Sequence, residues 1–228
     1  MNEIGTLSEK SIHAKLKDYL EPNKEYQEVS VGRYIADIKR DNNIIEIQTK
    51  QFKNLLNKLE YYTKHNFDIT IVYPIVASKI LNWIDPISNE IVESRKSPYK
   101  GVIQDCFREL YWIIDYIVKE KVKFKIILIE AEQYKYLDGY GQSNKKRATK
   151  IDIVPTKVVG EESFCNVSDL NKFIPKTLER EWTAKDFVKH SKVNSKYYAS
   201  GLKMLRDIGI ILPVRKIGNA IVYRTSNI

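Results

Sequence analysis

Three polar residues interrupt two apolar runs in RYIADIKRDNNIIEIQTKQF, residues 33–52: Asp37 in the first run, Glu46 and Gln48 in the second. The runs flank the polar turn Arg40-Asp41-Asn42-Asn43 and read as an antiparallel hairpin. Opposed residues in such a hairpin have a constant sum of numbers, so Arg40 faces Asn43 and Asp37 faces Glu46. Directly opposed side chains bring their Cβ atoms to roughly 4.5–5.5 Å, and two carboxylates at that range repel. Burial sharpens the repulsion, and a divalent cation between them reverses it. Magnesium takes one or two carboxylates, with waters and substrate phosphates completing its shell. Gln48 lies two residues past Glu46 and shares its face, while Ile45 and Ile47 point the other way. A third carboxylate, Glu9, shares a helical face with Ile12, His13, Leu16 and Leu20. The chemistry that this grouping offers is the holding of a divalent cation with waters and phosphate oxygens in its shell.

The elements that must position these groups follow from periodicity. Residues 7–20 carry Ile12, Leu16, Tyr19 and Leu20 at helical steps and predict a helix. Strands are expected at 26–31, 34–39 and 44–49. An amphipathic helix is expected over 52–64, with Phe52, Leu55, Leu56, Leu59 and Tyr62 on one face. Residues 68–74, DITIVYP, read as a buried strand. Residues 78–101 read as a short hairpin followed by a basic loop, 102–118 as one long apolar helix, and 124–130 and 151–159 as strands. The composition shifts near Phe173-Ile174-Pro175. Beyond it come a helix capped by Thr183, a turn, a helix over about 195–207, a stop at Gly209 and two strands around Lys216–Asn219. Helix, turn, helix and a two-stranded wing are the order of a winged helix. The expected division is 1–172 and 173–228.

The helix with Glu9, then Asp37, then Glu46-Ile47-Gln48, then a helix and a buried strand, resembles the PD-(D/E)xK nuclease superfamily, and most of all its Holliday-junction-resolvase-like members. The resemblance covers residues 7 to about 75. It implies an α/β fold, a restriction-endonuclease-like αβββαβ core with a mixed sheet flanked by helices, followed here by the winged helix. It assigns the metal, Mg2+ with Mn2+ able to substitute, to Asp37, Glu46, the carbonyl of Ile47 and Glu9. It gives Glu9, Asp37, Glu46 and Gln48 the catalytic roles in a metal-assisted hydrolysis of DNA phosphodiesters. Gln48 departs from the family's lysine: it can hold a water but carries no charge and is no base near neutral pH. Lys50 or Lys39, each two residues from a site residue, is expected to supply the missing charge.

The 228 residues carry 38 Lys and Arg against 29 Asp and Glu, a net charge of +9 that favours polyanionic partners. Candidate nucleic-acid contacts are Lys145, Lys146 and Arg147 in a Gly- and Ser-containing loop, Asn194, Ser195, Lys196, Tyr197 and Lys203 on the second helix of the C-terminal unit, and Arg215 and Lys216 on its wing. DNA is the expected partner, with the winged helix positioning it or forming a homodimer. No apolar run is long enough to span a bilayer and no leader peptide opens the chain, so no membrane role and a cytoplasmic location are expected. Two cysteines, Cys106 and Cys165, and three scattered histidines form no zinc or disulfide pattern. The rival reading is a catalytically inactive, DNA-binding regulator or interaction protein that keeps a nuclease-like fold.

Overall fold

In a computed structural model of the chain, residues 10–139 and 148–226 are described. Helix α1 (Lys10–Leu20) leads to strands β1 (Gln27–Val31), β2 (Tyr34–Arg40) and β3 (Asn43–Ile47), helix α2 (Leu56–Lys64) and the 17-residue strand β4 (Asp68–Ile84). Then follow β5 (Ile91–Lys96), the short helices α3 (Phe107–Leu110) and α4 (Ile114–Val118), and the long strands β6 (Val122–Tyr136) and β7 (Thr149–Phe164). A second group comprises β8 (Trp182–Thr183), α5 (Ala184–Ser191), α6 (Tyr198–Asp207), β9 (Ile211–Ile217) and β10 (Ala220–Thr225).

The fold is α/β. Its main sheet is mixed, in the order β1-β2-β3-β4-β6-β7, with β5 paired to the far end of β4. The β1–β2–β3 meander is antiparallel, β3, β4 and β6 run parallel, and β7 returns antiparallel. The parallel pair β3–β4 requires a crossover, and α2 supplies it. Strand β4 is central and buried on both faces, which is why it reads as a continuous β-branched run: Ile69, Ile71, Val72 and Ile75 are all buried.

Two turns set the meander. Gly32 takes φ +59° between β1 and β2, a left-handed conformation that glycine adopts without strain, and a Cβ there would push the Tyr61 hydroxyl aside. Asp41 takes φ +50° between β2 and β3, giving the register Ile38↔Ile45, Lys39↔Ile44 and Arg40↔Asn43. That ladder ends at Ile38↔Ile45, and beyond it the Asp37 side chain accepts from the Ile47 N–H.

Helix α1 covers one face of the sheet, where Ile12 and Leu16 pack with Ile38, Ile47, Val72, Ile127 and Ile129. The larger core lies on the opposite face under α2, α3 and α4, and it continues without interruption into Phe173, Trp182, Phe187, Leu202 and Leu205. Thr183 caps α5 as its sequence suggests, in a reciprocal box with Asp186. The C-terminal strands order as β8-β10-β9.

Two segments depart from the expectation. Residues 102–118 do not form one helix: helical geometry lapses at Tyr111–Ile113, where Ile113 sits at φ −118°, ψ 3°. The lapse leaves Tyr111 and Trp112 exposed while Leu110, Ile113, Ile114 and Ile117 stay buried. Residues 78–84 extend β4 by a further seven residues, and Arg95 and Lys96, expected in a loop, lie on β5. Parallel pairing with β6 out to Ile84↔Tyr136 holds this extension.

Candidate active site

Asp37 and Glu46 stand where the meander meets the parallel strands. The Asp37 Oδ2 accepts a hydrogen bond from the Ile47 N–H at 2.7 Å and lies 3.1 Å from His13 Nε2 on α1. One carboxylate oxygen therefore ties β2 to β3 and to the helix above them. Glu46 turns the other way, towards α2. It is fully buried; its Oε2 accepts from Lys58 Nζ at 2.6 Å, and its Oε1 accepts from the Tyr62 hydroxyl at 3.3 Å. Lys58 and Tyr62 are one helical turn apart on α2, so a single helix face supplies both donors.

Burial is the first reason that the Glu46 carboxyl is pushed up to about 7, and repulsion from Asp37 is the second. Lys58 pulls in the opposite direction and does not cancel them. The Tyr62 hydroxyl is pushed up as well, by burial first and then by Glu46. Glu46 thus senses the Asp37 charge, while its own carboxylate is turned to Lys58 and Tyr62.

Beside them opens a pocket of about 480 Å³ lined by His13, Lys17, Glu28, Ile47, Gln48 and Thr49. Lys17, largely buried on α1, forms an ion pair with Glu28. Glu28 holds φ +54° within β1 and is kept below the usual carboxylate range, first by its hydrogen bond from Lys17. A non-glycine residue in the left-handed region is a strained position of the kind that collects at functional sites. Gln48 lines the pocket, and its N–H donates to the Val72 carbonyl at 2.9 Å.

Glu46, Ile47 and Gln48 follow one another at the end of β3, and Asp37 on β2 reaches the Ile47 N–H, but the Asp37 carboxylate is held to α1 and that of Glu46 to α2. Glu9 lies outside the described residues, as do Lys145, Lys146 and Arg147. The charge expected from Lys39 does not reach the site, because that ammonium donates to the Asp41 carbonyl at 2.8 Å and sits over the Phe67 ring. Lys58 stands beside Glu46 instead. Sequence reasoning passed over Lys58, Tyr62, His13, Lys17 and Glu28. Only the helical step between Lys58 and Tyr62, and the one-turn step between His13 and Lys17, were visible as signals.

Among the described residues, no three His, Cys, Asp or Glu side chains form a group able to hold a metal ion. The donor set is instead two carboxylates on adjacent strands whose mutual repulsion shows in Glu46. Both Glu46 oxygens are taken by Lys58 and Tyr62, so a magnesium ion, which asks few protein ligands, would have to displace Lys58 to use Glu46 together with Asp37.

In the C-terminal group, Lys203 ion-pairs with Asp207 at 2.6 Å and contacts the Tyr111 hydroxyl at 3.1 Å. Arg215 pairs with Glu181 at 3.0 Å. The Asn194 N–H donates to Asp105 Oδ1 at 3.3 Å, and Tyr197 packs half-buried against the core. Ser195, Lys196 and Lys216 are exposed.

Residues 10–165 match a family model described as Domain of unknown function (DUF8091). An uncharacterized protein of Treponema pallidum (strain Nichols) is 28% identical over 223 residues, covering 97% of this chain and 87% of that protein. No solved structure matches. None of the described helices is long and apolar enough to cross a membrane.

Proposed function

We propose that this chain, which belongs to the DUF8091 family, is a metal-dependent nuclease that hydrolyses phosphodiester bonds in DNA. The carrying observation is the pair Asp37 and Glu46 on adjacent strands, with Lys58 Nζ 2.6 Å from Glu46. The order α1-β1-β2-β3-α2-β4 supports a PD-(D/E)xK-like core, and the order α5-α6-β9-β10 supports a winged helix. Magnesium held by Asp37 and Glu46 would supply Lewis-acid polarisation of the phosphate and a water of lowered pKa.

The protein's own groups have separable tasks in this reading. His13 and the Ile47 N–H fix Asp37 between α1 and β3. Tyr62 and Lys58 fix Glu46. Lys58 is the cation that Gln48 cannot be, placed to offset charge that develops on a phosphate next to Glu46. Gln48 lines the pocket, where its amide would hold a water by hydrogen bonds. The test is cleavage of duplex DNA in Mg2+ or Mn2+ by the wild type, Asp37→Ala, Glu46→Ala and Lys58→Met. Each substitution is expected to lower the rate by 10²-fold or more, on the order of one lost charge-stabilising group. Activity that persists in both carboxylate variants places the chemistry elsewhere.

One observation favours a second reading, that of a catalytically inactive DNA-binding regulator: Glu46 already has a cation partner in Lys58. Calorimetric titration with Mn2+ separates the two. A wild type that binds no divalent ion is a regulator.

A further inference from the structure

Residues 173–228 hold eleven Lys and Arg against four Asp and Glu, so this quarter of the chain carries +7 of the total +9. The structure distributes these charges unevenly. On α6, the helix that a helix-turn-helix normally sends into the major groove, the outward residues Ala199, Lys203 and Arg206 recur at i, i+4 and i+7. Asp207 accepts from both Lys203 at 2.6 Å and Arg206 at 3.0 Å, so this face carries little net charge. Its inward side is seated on α3: a Cβ at Gly201 would meet the Phe107 ring at 1.8 Å. Lys203 also reaches back to Tyr111. A helix held this way has little of its surface free to enter a groove.

Helix α5 is arranged differently. Its inward residues are Phe187 and Ser191, with Ala184 and Val188 packed beside them. Lys185 and Lys189 lie one turn apart on its outward side, Lys192 follows as the left-handed residue (φ +61°) that ends the helix, and all three are exposed. None of them forms an ion pair among the described residues. The nearest acid, Asp186, attracts Lys189 and His190, but its carboxylate is committed to the N–H and hydroxyl of Thr183. Glu181 is likewise occupied by Arg215. At about 1.5 Å per residue Lys185 and Lys189 stand roughly 6 Å apart along the helix, Lys192 adds a third ammonium group beyond its end, and a DNA strand offers one phosphate per about 3.4 Å of axis.

We propose that the α5 stripe Lys185–Lys189–Lys192 grips the phosphate backbone of duplex DNA without reading sequence, and that α6 is a structural rather than a groove-reading helix. The assignment rests on the DNA-directed reading given above and names the surface that it uses. Phosphate-only contact positions a duplex without selecting a sequence.

The experiment is fluorescence anisotropy of a labelled mixed-sequence duplex against the full chain in EDTA, across a series of salt concentrations. K185Q/K189Q/K192Q is expected to bind about tenfold or more weakly near 0.15 M salt. Its slope of log K against log salt should be shallower by about 2.7, the release of three phosphate contacts. K203Q/R206Q is expected to change affinity by less than about threefold on the same reasoning. A triple variant that binds as the wild type does, or a larger loss in K203Q/R206Q, overturns the assignment. So does a wild type that ignores duplex DNA but binds an acidic polypeptide such as polyglutamate. The lysine and arginine variants replace exposed side chains, and unchanged circular-dichroism melts confirm that every variant folds. Asp37→Ala serves as the independent arm: it should bind DNA like the wild type, so loss of cleavage with intact binding tests the hydrolytic site and leaves the stripe standing.

Discussion

A single buried carboxyl makes the residue-scale argument measurable. Glu46 ionises near 4.5 in an unfolded chain and is pushed up to about 7 in the folded one, by burial and by Asp37. Between those values the folded protein keeps a proton that the unfolded chain has released. Stability contributed by Glu46 is therefore fully present below about pH 4.5 and is lost as pH rises to about 7, amounting to about 3 kcal/mol at 1.36 kcal/mol per unit. Urea unfolding in EDTA from pH 5 to 8 should show this decline in the wild type and a flatter profile in Glu46→Gln. Parallel profiles would remove the buried carboxyl as its source. The hairpin that carries the two carboxylates was legible in the sequence, because a turn at Asp41-Asn42 sets Arg40 against Asn43 and Ile38 against Ile45, and the ladder ends one rung short of them. Their partners were not. Lys58 and Tyr62 are an ordinary solvated-looking lysine and an ordinary aromatic until the crossover helix sets them over Glu46, and nothing in local spacing encodes that approach.

At the scale of elements, reading improved with the strength of the repeat. The β1–β2–β3 meander, α2 and the capped α5 are set by short-range signals, namely turn residues, alternation and a Thr183–Asp186 box, and the structure keeps them. The far half of β4 was harder to read because parallel pairing with β6 holds it, and that contact is separated by some 50 residues in sequence. The lapse between α3 and α4 is likewise invisible in an apolar run. The C-terminal helix carries a sharper consequence. Gly201 lies in the middle of α6, where alanine is normally the better helix former by about 1 kcal/mol. Here an added methyl collides with Phe107, which is itself fully buried against Phe173 at 5.0 Å and Phe187 at 6.2 Å and has no room to yield. Gly201→Ala should therefore destabilise the protein by about 1–3 kcal/mol, as overpacked cores do. In a double-mutant cycle with Phe107→Leu, the combined loss should be smaller than the sum. A stabilised Gly201→Ala would mean that α6 does not rest on α3 in solution.

For the molecule as a whole, composition draws a boundary at residues 172–173, and the core crosses it. Phe173 stacks on Phe164 with ring centroids 4.5 Å apart and meets Phe107 at 5.0 Å. The Gln104 side-chain amide donates to the Phe173 carbonyl at 2.8 Å, and Asp105 accepts from the Asn194 N–H. Phe107 and Phe164 are fully buried, and a chain ending at residue 172 would expose a face of each while stranding the Gln104 amide. At about 1.5–3 kcal/mol per large apolar side chain returned to water, that loss is on the order of 4 kcal/mol. A domain whose total stability is about 5–15 kcal/mol cannot absorb this without a visible fall. The full chain should therefore unfold in one transition, with tryptophan fluorescence and far-ultraviolet circular dichroism superimposing although Trp182 lies in the C-terminal group. Residues 1–172 alone should bind a hydrophobic dye and melt about 10 °C or more lower, at 2–4 °C per kcal/mol for a chain of this size. A truncated chain that melts with the full protein and stays silent to the dye would make the C-terminal group an appendage, and DNA bound through α5 would then be tethered to the Asp37–Glu46 site rather than held in fixed register with it.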